Sequence, residues 1–301
     1  MELKSKGYLA LATTSIVWGT TWVASKLGVN DMPALQMAYI RQFLAGLCFV
    51  LFFMIRYRSP LPTARQFRWM TIMAILMFVF ANGLSTWSLK YIPTGLSALI
   101  GALYPLSVVI IERLFFHSKR MTALTFLGLF LGISGVGIVF YENIYGSHGI
   151  EFYIGLALAM VAMLSWSLGT VFISRNKANI NPYYGTGWQM LISALILFIW
   201  AEGSQQSIPF SAISTRAWLM IAYLVVFGSI ISFVAFIYSM KRLPAAIASL
   251  YAYINPLIAM LMASVLLNEK LTIHILWGAI VTLIGVFLVN YSLKKNTDRQ
   301  R

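Results

Sequence analysis

The sequence predicts an all-α integral membrane protein of ten transmembrane helices, built as two inverted five-helix repeats. Three observations carry that prediction. First, 60% of the 301 residues are hydrophobic and only 10% are charged, whereas a soluble domain of this size carries about a quarter charged residues. Second, apolar stretches recur along the whole chain, each long enough to cross a hydrocarbon layer of about 30 Å. Third, the pattern of one half returns in the other.

The apolar spans run over 7–27, 34–55, 69–89, 92–115, 122–141, 153–174, 183–201, 217–240, 244–267 and 273–292. Each is continuous rather than alternating. Strands are therefore excluded, since only helices and closed barrels satisfy their backbones in lipid. The first span follows Lys4 and Lys6 and imitates a signal peptide, but it runs on without a small-x-small cleavage pattern. An uncleaved first helix is expected.

Basic residues set the orientation. With the N-terminus in the cytoplasm, the inside segments hold Lys4, Lys6, Arg56, Arg58, Arg65, Arg68, Lys119, Arg120, Arg175, Lys177, Lys241, Arg242, Lys294, Lys295, Arg299 and Arg301. The outside segments hold only Lys26, Lys90, Arg216 and Lys270. This asymmetry predicts a multi-pass protein of the inner membrane with both termini cytoplasmic. It also accounts for the net charge of +14 without a nucleic-acid partner, because the cations form short loop clusters and no basic stripe. The lipid bilayer is the expected partner.

The repeat is read from Ser88-Leu89-Lys90-Tyr91-Ile92-Pro93 against Ser239-Met240-Lys241-Arg242-Leu243-Pro244, and from Tyr104-Pro105-Leu106 against Asn255-Pro256-Leu257. Thr122, Gly128 and Gly135-Val136 then match Thr272, Gly278 and Gly285-Val286. Trp18 and Gln42 align more loosely with Trp166 and Gln189. The repeats are expected at 1–146 and 147–301. Five spans per half is an odd number, so the second half enters the membrane upside down. That arrangement is typical of secondary transporters, with the solute held near the midplane between the halves.

Pro105 and Pro256 fall about halfway along their spans. Each removes a helical donor from the carbonyl four residues earlier, at Gly101 and Ala252, so kinks are expected that serve as gates. Polar and aromatic residues share faces with these kinks: Ser97, Gly101 and Tyr104 on helix 4, and Tyr251 and Asn255 on helix 9. Asn82 and Ser85 share a face of helix 3. Thr14, Trp18, Thr21 and Ser25 form a stripe on helix 1, with Trp22 beside it. Trp166 and Gln189 are the candidates from helices 6 and 7. For the hydroxyls, helix packing competes with a cavity role; the amides are harder to satisfy inside a tight seam.

Arg41 is the cation placed deepest, two turns inside helix 2. It either holds a solute carboxylate or has a structural role, snorkelling outward or binding helix-end carbonyls. No acid sits at mid-span, so a buried carboxylate acting as proton carrier is disfavoured. Gly128 and Gly132 form a G-x-x-x-G frame on helix 5, read first as packing inside the chain and second as a homodimer contact through helices 5 and 10. There is no phosphate loop, no metal-spaced His/Cys cluster and no nucleophile elbow. Neither cofactor nor metal is expected, and the chain does not read as an enzyme. A non-catalytic membrane scaffold is the main alternative. A membrane-embedded enzyme on lipid-linked substrates ranks below it.

The chain resembles the drug/metabolite transporter superfamily, and within it the ten-helix EamA-type proteins. The resemblance is carried by Trp18-Gly19, by Arg41-Gln42-Phe43-Leu44-Ala45-Gly46, by Ala98-Leu99-Ile100 through Tyr104-Pro105, and by Asn255-Pro256-Leu257 through Leu266-Leu267-Asn268-Glu269-Lys270-Leu271-Thr272. It implies a solute carrier that uses no ATP, often an exporter of amino acids or other small metabolites. One departure is visible. The acid that members often carry after helix 4 is replaced around Ser118-Lys119, which should alter a loop contact.

Overall fold

The computed structural model describes residues 2–116, 122–144, 149–175, 180–243 and 251–298. His117, Ser118, Lys119, Arg120, His148, Lys177, Pro244, Arg299 and Arg301 lie outside the described residues, as do the side chains of Lys4, Glu142, Arg175 and Lys294. The described chain is helical, without strands. Its rods are α1 (Glu2–Asp31), α2 (Ala34–Tyr57), α3 (Ala64–Ser88), α4 (Thr94–Phe116), α5 (Ala123–Ile144), α6 (Ile150–Arg175), α7 (Pro182–Gly203), α8 (Thr215–Arg242), α9 (Tyr251–Leu267) and α10 (Ile273–Asp298). Among the described residues, seven stretches are long and apolar enough to cross a membrane, and those of α5 and α9 are shorter. The remaining rod, α1, is long but carries Thr13, Thr14, Ser15, Thr20 and Thr21 along its middle. Large apolar side chains stand exposed around the bundle, among them Phe52, Phe130, Ile154, Ile199, Leu261 and Phe287. A surface this apolar is suited to lipid rather than water.

Among the described residues, the two larger of three apolar clusters divide the bundle across the sequence halves. One gathers Val29, Leu35, Ile40, Phe78, Leu197, Ile221 and Leu224 from α1, α2, α3, α7 and α8. The other gathers Leu99, Leu106, Val136, Met163, Met260, Val286 and Val289 from α4, α5, α6, α9 and α10. The helix contacts follow an exchange pattern. α1 packs on α8 and α9, as α6 packs on α3 and α4; α2 packs on α7, and α5 on α10.

At the α5–α10 seam the glycines face backbone. A Cβ at Gly135 would lie 2.6 Å from Gly278 O, and one at Gly285 would lie 2.6 Å from Gly128 O. The G-x-x-x-G frame is therefore used within the chain. The outer faces of these helices expose Phe126, Ile133, Trp277 and Ile284 instead.

The two proline helices differ. α4 is broken into Thr94–Gly101 and Tyr104–Phe116, with Pro105 just inside the second piece. There a missing N–H costs nothing, because the first turn of a helix has no internal partner for it. The expected kink at Pro105 is thus a break at Ala102-Leu103. In α9 Pro256 lies inside a helix that continues to Leu267.

Two further irregularities appear in α3 and α8. Residues Ala74–Gly83 and Leu224–Ile231 are wound as π-helix. The wider turn leaves carbonyls in need of donors, and other helices supply them. Gln42 Nε2 donates to Phe78 O (3.1 Å), and Trp18 Nε1 donates to Gly228 O (3.0 Å).

Candidate functional site

Between the two apolar clusters lies a cavity of about 180 Å³. α1 contributes Trp18, Thr21, Trp22 and Ser25; α3 contributes Asn82 and Ser85; α4 contributes Ser97, Gly101 and Tyr104; α6 contributes Met163 and Trp166; α9 contributes Tyr251, Asn255 and Pro256. Arg41 of α2 and Phe233 of α8 complete the wall. The helical period explains the grouping, since residues three or four apart share a face. On α1 the sequence 18, 21, 22, 25 is one such face. The polar residues that lower the apolar character of α1 are thus partly those turned to the cavity.

Hydrogen bonds organise the wall. Trp22 Nε1 donates to Asn255 Oδ1 at 2.9 Å, tying α1 to α9 beside Pro256. Tyr251 OH donates to Tyr104 OH at 3.0 Å, and the two rings stack with centroids 6.3 Å apart. This pair joins the two proline helices. Trp18 sits edge-on to Phe233 and Tyr251, at 5.2 and 5.5 Å. Ser97 bonds Ser88 at 2.9 Å, holding α4 against the end of α3.

Arg41 and Gln42 are consecutive and serve opposite sides. Arg41 Nε donates to Ser229 Oγ at 3.0 Å, on the π segment of α8. Gln42 Nε2 reaches Phe78 O and Asn82 Oδ1 (3.3 Å) on the π segment of α3, while its Oε1 accepts from Ser193 of α7. One dipeptide of α2 therefore bridges both irregular helices. Gly228 makes room for the arrangement. A Cβ there would lie 2.9 Å from Thr21 Cγ2 and 3.3 Å from Arg41 Nη2.

Loop contacts outside the cavity fix the start of α4. Asn268 ends α9 with a left-handed turn, φ 54°. An Asn tolerates that conformation better than most side chains, because its short polar group can bond locally. The turn aims Glu269 at the first turn of α4, where Thr94 N–H donates to Oε1 at 2.8 Å and Gly95 N–H donates to Oε2 at 3.2 Å. A carboxylate here satisfies orphan donors and the positive end of the helix dipole together. Lys26 Nζ donates to Leu89 O and to Ile92 O (3.3 Å), capping the turn between α3 and α4.

The structure gathers Trp18, Thr21, Arg41, Asn82, Ser85, Ser97, Tyr104, Trp166, Tyr251 and Asn255 around one cavity, with Gly101 and Pro256 in its wall. Gln189 is not among them. α7 turns Gly187, Met190, Ala194 and Leu197 inward, which leaves Gln189 half-buried and off the cavity. The inward polar group of α7 is Ser193, and the amide near the site is Gln42. Pro105 is buried behind the wall rather than in it. Thr14 leaves the stripe of α1 for the α8 seam, where its hydroxyl meets Ser232 O at 3.4 Å. Sequence reasoning missed Gly228, Ser229 and Phe233. A Gly-Ser pair inside the apolar run 224–231 was the available signal. Among the described residues no group of three or more His, Cys, Asp or Glu side chains converges as a metal would require.

Comparison with known proteins agrees over nearly the full length. The EamA-like transporter family matches residues 5–141 and again 153–291. The uncharacterized inner membrane transporter YedA of Escherichia coli strain K12 is 29% identical, over 93% of this chain and 89% of that protein. The uncharacterized transporter YoaV of Bacillus subtilis is 23% identical, over 96% and 98%. A solved crystal structure that is 17% identical covers 95% of this chain and 97% of its own, with a TM-score of 0.66, and shares the fold.

Proposed function

The chain belongs to the EamA-like transporter family, and from that premise we propose that this membrane transporter is a secondary exporter of a small metabolite, an amino acid or another amphipathic solute. It works by alternating access in the inner membrane. On this reading the chain crosses the bilayer ten times, its repeats occupy 1–146 and 147–301 in inverted orientation, and both termini are cytoplasmic.

The observation that carries the reading is the position of the cavity. It lies where the two apolar clusters meet, and the two proline helices and both tryptophan-bearing first helices of the halves, α1 and α6, line it. The exchange pattern of helix contacts supports an inverted repeat. The Lys and Arg asymmetry supports the orientation. Alternating access needs two bodies that tilt about a fixed centre, and each cluster is continuous enough to move as one. The Trp22–Asn255 and Tyr104–Tyr251 bonds cross the centre and would be remade in each cycle. A scaffold would have no need of a polar space there.

The test is a metabolite survey of medium and cells with and without overexpression, repeated with Asn255→Leu. The wild type should enrich one class of solute in the medium. Asn255→Leu leaves Trp22 without its acceptor and should reduce efflux at least several-fold at equal expression. No enrichment of any solute by the wild type, or equal efflux by the variant, would count against the reading.

A further inference from the structure

We infer that the solute is an organic anion, a carboxylate on an apolar body of modest size, and that Arg41 is the residue that binds its charge. This deepens the transport reading and rests on it.

The argument begins from an imbalance of charge. Arg41 is 7% exposed and lies in the wall of the cavity. Its guanidinium has five N–H donors, of which Nε is spent on Ser229. Among the described residues, neither terminal nitrogen donates a hydrogen bond, and no carboxylate lines the cavity. Asp31, Glu112, Glu151, Glu202 and Glu269 all lie away from it, and Glu269 is committed to α4. A guanidinium so largely removed from bulk solvent is held at a cost unless an anion joins it.

A purely structural role does not account for the residue. The α2–α8 tie needs only one donor, and Ser229 takes a neutral hydrogen bond. Gln42, the next residue, makes the corresponding tie to α3 without a charge. The site also keeps the guanidinium in place. Gly228 has no side chain to crowd Nη2. The planar fork that remains matches a carboxylate in two-point contact.

The rest of the wall describes the body of the solute. Trp18, Trp22, Tyr104, Trp166, Phe233 and Tyr251 are aromatic, so the body is apolar or flat. At about 10–15 Å³ per water-sized position, the cavity holds a body on the order of a dozen heavy atoms. An ammonium group would find ring faces and amide and hydroxyl oxygens but no acid. The wall therefore selects the anionic end of a solute.

Binding is tested on the intact chain in detergent micelles by quenching of tryptophan fluorescence, since three tryptophans line the cavity. The probes are benzoate, benzyl alcohol and benzylamine, alike in size and different in charge. Benzoate should bind saturably and at least tenfold more tightly than the other two. Arg41→Gln should bring benzoate to the level of benzyl alcohol, and Arg41→Lys should restore part of the difference. The wild-type ranking needs no variant, so it decides the matter even where Arg41→Gln does not fold. Equal binding of the three probes, preference for the amine, no binding of any probe, or displacement of benzoate by an equal concentration of chloride would each overturn the inference. So would benzoate binding unchanged in Arg41→Gln. Proteoliposome flux separates the two readings. Benzoate bound but never carried would end the transport reading and leave the anion site. Carriage of benzyl alcohol alone, independent of Arg41, would do the reverse.

Discussion

At the α5–α10 seam, a Cβ on Gly285 would lie 2.6 Å from Gly128 O and 2.8 Å from Gly132 Cα; at the cavity, a Cβ on Gly101 would meet nothing nearer than the Trp22 ring, at 3.6 Å. Both glycines lie in apolar helices, and from the sequence they look alike. One is small so that two backbones can touch. The other borders open space in the wall of the cavity. The seam has no room to change, and the centre has room to spare. A molecule that moves a solute through its middle needs both properties, because a firm pole gives the moving parts something to turn against.

The largest expected effect comes from breaking the firm region. Gly285→Ala forces a methyl against backbone atoms that no rotamer change can clear, so α5 and α10 must part. Overpacking of this kind costs about 3 kcal/mol. Thermal unfolding of the purified variant should show a clearly lower midpoint, with the loss of stability exceeding any effect on solute binding. A midpoint equal to that of the wild type would mean that the seam is looser than described.

A smaller effect follows from loosening α4, a wall helix of the cavity, at its first turn. Glu269→Ala leaves the Thr94 and Gly95 N–H groups without their acceptor and removes the anion from the α4 dipole. Loss of a helix cap costs about 1–2 kcal/mol. Hydrogen exchange should rise at the start of α4 and not in α5 or α10. Glu269→Gln keeps an acceptor and should fall between. Exchange rising equally in both regions would deny that this cap acts locally.

How much of this was legible in the sequence follows from the same comparison. The rods were legible because uninterrupted apolar runs leave the backbone no other way to bond in lipid. The cavity wall was largely legible because polar and aromatic residues recurred at helical spacing on α1, α3, α4 and α9. What was not legible depends on a partner far away in the chain. Gln42 and Gln189 align in the repeat, yet only Gln42 meets the carbonyl freed by a π turn. That turn has no local signature in Ala74–Gly83. Pro105 and Pro256 promise the same kink, yet α4 breaks and α9 does not, because proline only forbids a bond and its neighbours decide how the gap is used. Asn268-Glu269 read as part of a family motif; the reach of the carboxylate to α4 needed the fold.

The smallest effect on stability is expected at Gly101, where the comparison is sharpest. The residue ends the first piece of α4 with ordinary helical backbone, so alanine needs no change of conformation. A Cβ there makes only van der Waals contact with Trp22. Replacing a glycine whose backbone an alanine can share stabilises by about 0.5 kcal/mol through the unfolded chain. Gly101→Ala should therefore unfold at or slightly above the wild-type midpoint, the opposite of Gly285→Ala. Its cost should appear in the cavity instead. The new methyl stands in the wall between Trp22 and the break at Ala102-Leu103, so apparent affinity should fall with increasing solute size and stay level for the smallest probes. A series from acetate through benzoate to naphthoate, measured by tryptophan quenching, reads this directly. A drop that is uniform across the series, or a fall in stability to match Gly285→Ala, would mean that Gly101 is packed like the seam and that the open space lies elsewhere.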